Sequence, residues 1–198
     1  MHRVEEYVQE IFPASAVRLR KPEPIDYIEL HTDAIDDYMR LDPWQHTKWK
    51  EGNRKAIARQ HLREGDIVFV YRKKRFRPAV FTQWHARWCE ENRVVILPSI
   101  GMMVLRPKRP KDGYRLCVQL KGWEDQISFL LAQGLKPSEL AKALLDQPIF
   151  APKSEKDWKY YEIFLGLLKE SYNLLSNFQE LLLEEKRYVI SHRKKEGL

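Results

Sequence analysis

Apolar residues fall along this chain in two rhythms, and the change from one to the other divides it. Near the start, Val4, Tyr7, Val8, Ile11 and Phe12 recur three or four positions apart, which predicts a short amphipathic helix over 2–12 that Pro13 stops. A proline-marked loop follows, basic and extended over 18–24. Ile25-Asp26-Tyr27-Ile28-Glu29-Leu30 then predicts a strand, and 33–63 reads as polar with helical stretches and few turn signals. Between 67 and 106 the apolar residues come in short β-branched or aromatic runs. Strands are predicted at 67–71, 79–82, 94–97 and 102–106, separated by Arg, Pro, Asn and Gly segments.

After Asp112-Gly113 the spacing turns helical. Helices are predicted at 114–120, 123–132 and 138–145, with Gly134 ending one and Pro137-Ser138 opening the next, and an extended piece over 148–152 closes the region. From 154 to about 193 no proline occurs and only Gly166 interrupts, so a single helix of about forty residues, roughly 60 Å long, is expected. Its seam is regular: Tyr161, Leu168, Leu175, Leu182 and Val189 recur every seven residues, joined by Leu165, Tyr172 and Phe178. The expected fold class is α+β, a mixed, mostly short-stranded sheet domain with packed helices over 1–152, followed by a long coiled-coil-type helix over 153–198. An exposed stripe of that length needs a partner, and a second copy of the chain is the natural one.

Charge changes the picture because it is local. Residues 50–121 hold 18 Lys/Arg against 6 Asp/Glu, a balance of +12, whereas the whole chain counts 35 against 28, or +7; the remainder sums to −5. Within this window Arg72, Lys73, Lys74, Arg75 and Arg77 follow the apolar run Ile67-Val68-Phe69-Val70, which sets five cations at the tip of a predicted strand. Such a loop suits a polyanion, which releases counterions on binding, and Tyr71, Phe76, Phe81, Trp84 and Trp88 offer aromatic faces nearby. The bland alternative is a solvated charge run over an ordinary core. Base readout requires planar or bidentate groups, for which Arg72, Arg75, Arg77, Gln83 and Asn92 are candidates; Arg87, Lys108, Arg109 and Lys111 add phosphate contacts.

Other chemistry finds little support in the sequence. The first residues carry acids where a secretory signal needs an apolar stretch, and no apolar run approaches the roughly 20 residues of a membrane span, so a cytoplasmic chain with no membrane partner is expected. Cys89 and Cys117 lack a CxxC or a ligand cluster and read as two reduced thiols. His2, His31, His46, His61, His85 and His192 are scattered without an i, i+4 pair or a nearby cysteine. The carboxylates of the basic window, Glu51, Glu64, Asp66, Glu90, Glu91 and Asp112, show no nuclease arrangement; Asp66 reads as a turn residue opening a strand. No dinucleotide fingerprint, P-loop or Asn/Asp-Pro-Pro-Tyr motif occurs, so neither catalysis, a metal nor a cofactor is expected. Trp84 and Trp88 are expected to pack against the sheet. Trp44 and Trp49 flank a basic, polar stretch of the kind in which a reader of a flipped or modified base would build an aromatic cage.

A family resemblance lies in the order of several of these segments. Tyr27-Ile28-Glu29-Leu30, then Leu62-Arg63-Glu64-Gly65-Asp66-Ile67-Val68, then Met103-Val104-Leu105-Arg106-Pro107-Lys108, then the helices ending at Gly134 and the stretch 140–152 before the long helix occur in sequence. This succession resembles the target recognition domain and spacer helix of type I restriction-modification specificity subunits, over residues 27 to the end of the long helix. The resemblance implies a module that reads double-stranded DNA without performing chemistry. Specificity subunits of this family usually carry two recognition domains and two helices. One of each here implies a half-subunit that forms a homodimer through its helix, with a DNA methyltransferase subunit as a further partner. The chain departs from the family at Leu135, where a small hydroxyl residue is common. It departs again at Ala151-Pro152-Lys153-Ser154-Glu155-Lys156, which lacks the family's Pro-rich Glu-Gln signature. Two other readings stay open: a metal-dependent nuclease on an unrecognised scaffold, and a protein that binds no DNA and is built on a helical dimer.

Overall fold

A computed structural model of the chain describes residues 2–17, 24–35, 41–42, 47–71 and 76–149, together with 154, 156, 159, 163, 166–167, 170–171 and 174. The chain divides into two compact units, Met1–Ala151 and Pro152–Leu198. The first is an α+β unit built on two sheets.

Its central sheet has four strands in the order β1-β7-β4-β5, where β1 is Val8–Pro13, β4 Ile67–Val70, β5 Pro78–Val80 and β7 Met102–Pro107. All three pairings are antiparallel. Every residue of β4, β5 and β7 is buried, which explains the apolar runs 67–70, 78–80 and 102–105: a strand covered on both faces has no polar side to alternate with. On one face Ile67, Phe69, Val80, Met103 and Leu105 pack against Leu116, Cys117 and Leu120 of α3 (Asp112–Gly122), Ile127 of α4 (Glu124–Ala132), and Leu140 and Leu144 of α5 (Pro137–Leu145). On the other, Val68, Val70, Ala79, Phe81, Met102 and Val104 share a core with Ile28, Leu30 and Ile96 of a second sheet.

That second sheet has the order β3-β2-β6, with β2 at Pro24–Leu30, β3 at Thr47–Asn53 and β6 at Ile96–Leu97. β2 runs antiparallel to β3 and parallel to β6. Its far face carries Tyr27 and Leu97, on which α1 (Arg54–Gln60) lays Ile57. Helix α2 (Gln83–Asn92) covers part of the second core through Ala86, Trp88 and Cys89.

Three expectations change. Residues 2–12 form a 3-10 turn at Val4–Glu6 followed by strand β1, and not a helix. β7 needs a partner on its outer edge, and Val8, Ile11 and Phe12 supply one, so the pairing overrides a helical spacing too short to hold alone. A strand, β3, precedes α1 in the stretch 33–63; its composition, Thr-Lys-Trp-Lys-Glu-Gly-Asn, hides it because an edge strand has one side facing solvent. Finally, 83–92 is a helix inside a region read as strands and connecting segments. Thr82 caps it by accepting from the His85 backbone N–H, and Trp84 and Trp88 are one turn apart.

The strands expected at 67–71, 79–82, 94–97 and 102–106 and the helices at 114–120, 123–132 and 138–145 lie at these places, with ends moved by a few residues. Beyond Pro148, which bridges Arg3, and Ile149, the extended piece lies outside the described residues. Among the described residues no helix is long and apolar enough to cross a membrane.

Candidate nucleic-acid interface

The loop 61–66 and β7 meet in a buried ion pair that fixes one end of the central sheet. Arg106 donates from Nε to Asp66 Oδ1 at 2.9 Å and from Nη2 to Asp66 Oδ2 at 2.8 Å, with the Asp66 side chain 1% and the Arg106 side chain 5% exposed. The remaining valences are filled as well. The Arg63 backbone N–H donates to Asp66 Oδ2, while Arg106 Nη2 also donates to the His61 carbonyl and Nη1 to Glu10. Burial pushes the Asp66 carboxyl above its ordinary range, against the Arg106 guanidinium that lowers it. A pair satisfied in this way anchors β1, β4 and β7 to each other.

The backbone is equally tight at this corner. Gly65 has φ +85°, a conformation that favours glycine, and a Cβ on Gly113 would sit 2.3 Å from the Gly65 carbonyl oxygen. The Gly-Asp-Ile segment is therefore where the α3 N-terminus and the start of β4 touch.

Around this frame the cations named from sequence fall into separate places. Arg77 stands immediately before β5, at the end of the sheet where β4 leaves toward residues 72–75, and is half-buried. Arg72, Lys73, Lys74 and Arg75 lie outside the described residues. Gln83, Arg87 and Asn92 are exposed on α2, with Asn92 donating to the Trp88 carbonyl at 2.8 Å. Lys108, Arg109 and Lys111 belong to the β7–α3 connection. Because Ile67 pairs with Leu105 and Val70 with Met102, this connection is at the opposite end of β4 from Tyr71. Among the described residues Gln83 and Arg87 share α2, Lys108, Arg109 and Lys111 share one connection, and Arg77 is at the other end of the sheet from that connection.

Several of these groups already have partners. Lys108 Nζ donates to the Glu6 carbonyl at 2.8 Å, and Arg109 holds Asp112 through both Nε (2.7 Å) and Nη2 (3.0 Å). Arg87 and Lys111 form no ion pair with another described residue. The aromatics also divide. Phe76 and Phe81 are fully buried, Phe76 against Phe69 at 5.1 Å between ring centroids and Phe81 against His85 at 5.2 Å, so neither offers a face to a base. Tyr71 packs on the helix-side core and Trp88 on the other, the role expected of the α2 tryptophans.

The orientation of α2 rests on a buried histidine. His85 Nδ1 accepts from the Thr82 backbone N–H at 3.0 Å, which leaves Nε2 to donate to the Leu41 carbonyl at 3.1 Å. Burial lowers the imidazole to about 4. Neutral His85 thus takes the place that Glu holds in an ordinary capping box and adds a tie to a second segment. Burial likewise pushes the Cys89 and Cys117 thiols up to about 12.

Sequence reasoning left one cationic element off its site. Arg54, Lys55 and Arg59 are exposed on α1, and Trp49, on the strand β3 that leads into it, is 62% exposed. The available signal was Arg54-Lys55 with Arg59 one turn later and no acid between, next to a tryptophan in a polar stretch. On the same side of the sheet as α1, a cleft of about 620 Å³ opens between Val17, Tyr27, Lys50 and Ile100. In it Lys50 Nζ donates to Glu29 Oε1 at 2.8 Å. Among the described residues no three His, Cys, Asp or Glu side chains converge as metal ligands. No protein-family model and no curated protein matches the chain.

Proposed function

We propose that the protein is a double-stranded DNA reader that performs no chemistry of its own, a half specificity subunit of a restriction-modification-like system that pairs through its C-terminal helix. The observation that carries this reading is the state of the cations in the basic window. Arg54, Lys55, Arg59, Arg87, Arg93 and Lys111 are exposed and form no ion pair with another described residue, although 28 acids are present in the chain. Surface cations left without acids fit a partner that brings its own negative charge, and a phosphate backbone does so at regular spacing. Their seats on a rigid two-sheet frame suit a module that holds position on the duplex.

The second unit supports the pairing. Its described residues 156, 159, 163, 166–167, 170–171 and 174 are helical and exposed, and among them Ile163, Leu167 and Leu174 share one face at i, i+4 and i+11. At 100° per residue this stripe is about 200° around the helix from Tyr161, so it is not the expected seam. The seam itself, Tyr161, Leu165, Leu168, Tyr172, Leu175, Phe178, Leu182 and Val189, lies outside the described residues. An apolar stripe exposed in the single chain calls for a cover, and a second copy of the helix is one.

The test is direct binding of purified protein to a random-sequence duplex across a salt series, followed by selection of bound sequences, with sedimentation equilibrium on the free protein. The expected result is a steep negative dependence of log K on log salt, an enriched motif and a dimer at micromolar concentration. Absence of duplex binding at ~50 mM salt would remove the DNA reading; a monomer at that concentration would remove the homodimer and point to a different helix as the cover.

A further inference from the structure

We propose that the outer edge of the second sheet, formed by β3 and α1, is a nucleic-acid contact surface in which Arg54, Lys55 and Arg59 hold phosphates and Trp49 meets the bases. This rests on the DNA reading above and assigns it a face that the charge run at 72–77 does not. The geometry starts from Gly52. A Cβ there would run into Val17, Tyr27 and Ile57, so Gly52 faces α1, and by strand alternation Lys50 does too, opposite Tyr27 and bonded to Glu29. Trp49 and Glu51 therefore point to the other face. Trp49 continues the row Ile96–Ile28 toward the second core, yet it lies on the edge strand and is exposed where those two are buried.

On the other side of the same strand, α1 turns Ile57 and Gln60 inward. Gln60 Oε1 accepts from the Ser15 backbone N–H at 2.6 Å, and Asn53 caps the helix through the Lys55 and Ala56 N–H groups. At 100° per residue Lys55 and Arg59 point away from Ile57, about 160° from it on either side, while Arg54 is on the flank of the helix about 60° from Ile57. Lys55 and Arg59 are like charges at i, i+4, which repel, and α1 contains no acid to relieve them. A helix of seven residues is too short to persist alone, so the fold is what holds these cations in place. A phosphodiester strand running along the edge would neutralise them, and the tryptophan across the strand would contact the bases by stacking or as a wedge. Either use explains why so large an aromatic stands in solvent.

The variants R54A/K55A/R59A and W49A, checked for native circular dichroism, separate the two roles against the wild type on one duplex. Removing the three cations should weaken binding at ~0.15 M salt by tenfold or more and flatten the log–log salt slope by roughly 0.9 per lost phosphate contact. W49A should weaken binding with the slope unchanged, since no charge is lost, and the wild type should show a fluorescence change on binding that W49F lacks. A wild type that binds while the triple variant keeps its affinity and slope overturns this assignment, leaving the α1 cations as a solvated face and the DNA reading intact. A wild type that does not bind removes the DNA reading, and the assignment with it.

Discussion

Acid should loosen this protein through one side chain whose contribution can be isolated. His85 is buried, with the Phe81 ring stacked on it and Trp84 edge-on, and its two ring nitrogens are occupied by the Thr82 N–H and the Leu41 carbonyl. In the folded chain the imidazole is lowered from 6.5 to about 4, by burial, so it stays neutral there while the unfolded chain takes up a proton near 6.5. The stabilisation is complete above 6.5, falls as pH drops toward 4, and levels off below that. At about 1.36 kcal/mol per pH unit the full loss is ~3 kcal/mol, a large share of a typical domain's stability. The measurement is urea denaturation of the wild type and His85→Leu at pH 7, 6, 5 and 4. Leucine cannot titrate and leaves the Leu41 carbonyl and Thr82 N–H unpaired, so the variant should be ~2–3 kcal/mol less stable at pH 7. That gap should shrink toward pH 4, while carboxylate effects common to both proteins cancel in the difference. Parallel profiles across this range would refute the reasoning.

The buried pair gives a second expectation: Arg106→Met leaves the Asp66 carboxylate buried without its cation and should cost about 3–5 kcal/mol by chemical denaturation, whereas Asp66→Asn combined with Arg106→Met should cost less than Arg106→Met alone. A loss below 1 kcal/mol for Arg106→Met would contradict the anchoring role. The glycines make a third. Gly113→Ala should lower the melting temperature by several degrees because its Cβ meets the Gly65 backbone, while Gly122→Ala, at a helical position with open space around it, should be neutral or raise stability by ~0.4–1 kcal/mol.

The fold was legible where local pattern and tertiary environment agree. The β4 run Ile67-Val68-Phe69-Val70 and the β7 run from Met102 have no polar alternation and needed none, being covered on both faces. The helices at 112–145 showed their spacing because one side of each meets the sheet. What misled was the edge. β1 and β3 are peripheral strands, each covered incompletely, so their composition reports solvent as much as structure, and only the pairings with β7 and β2 reveal them. Helix α2 was hidden for a related reason: its inward residues are Trp88, Ala86, Cys89 and a histidine, a buried set that no hydropathy pattern marks as one face.

The candidate site was legible as charge but not as geometry, because a count of cations does not record what each one touches. Of the 18 in the basic window, Arg106 is spent on Asp66 and Glu10, Arg109 on Asp112, Lys50 on Glu29 and Lys121 on Glu124. These four serve the fold, and their acidic partners come from inside and outside the window alike. Arg54, Lys55 and Arg59 on α1 instead form no ion pair with another described residue, and no linear window of sequence identifies that condition. The density of Arg and Lys at 72–77 drew attention to one segment, whereas the exposed cations Arg54, Lys55 and Arg59 become apparent only once Ile57 is placed inward. If those three cations were merely the solvated side of a helix, the economical choice would be the usual Glu–Lys spacing that supports a short helix. That α1 forgoes such support while depending on tertiary packing for its existence is the physical reason to look there for the polyanion.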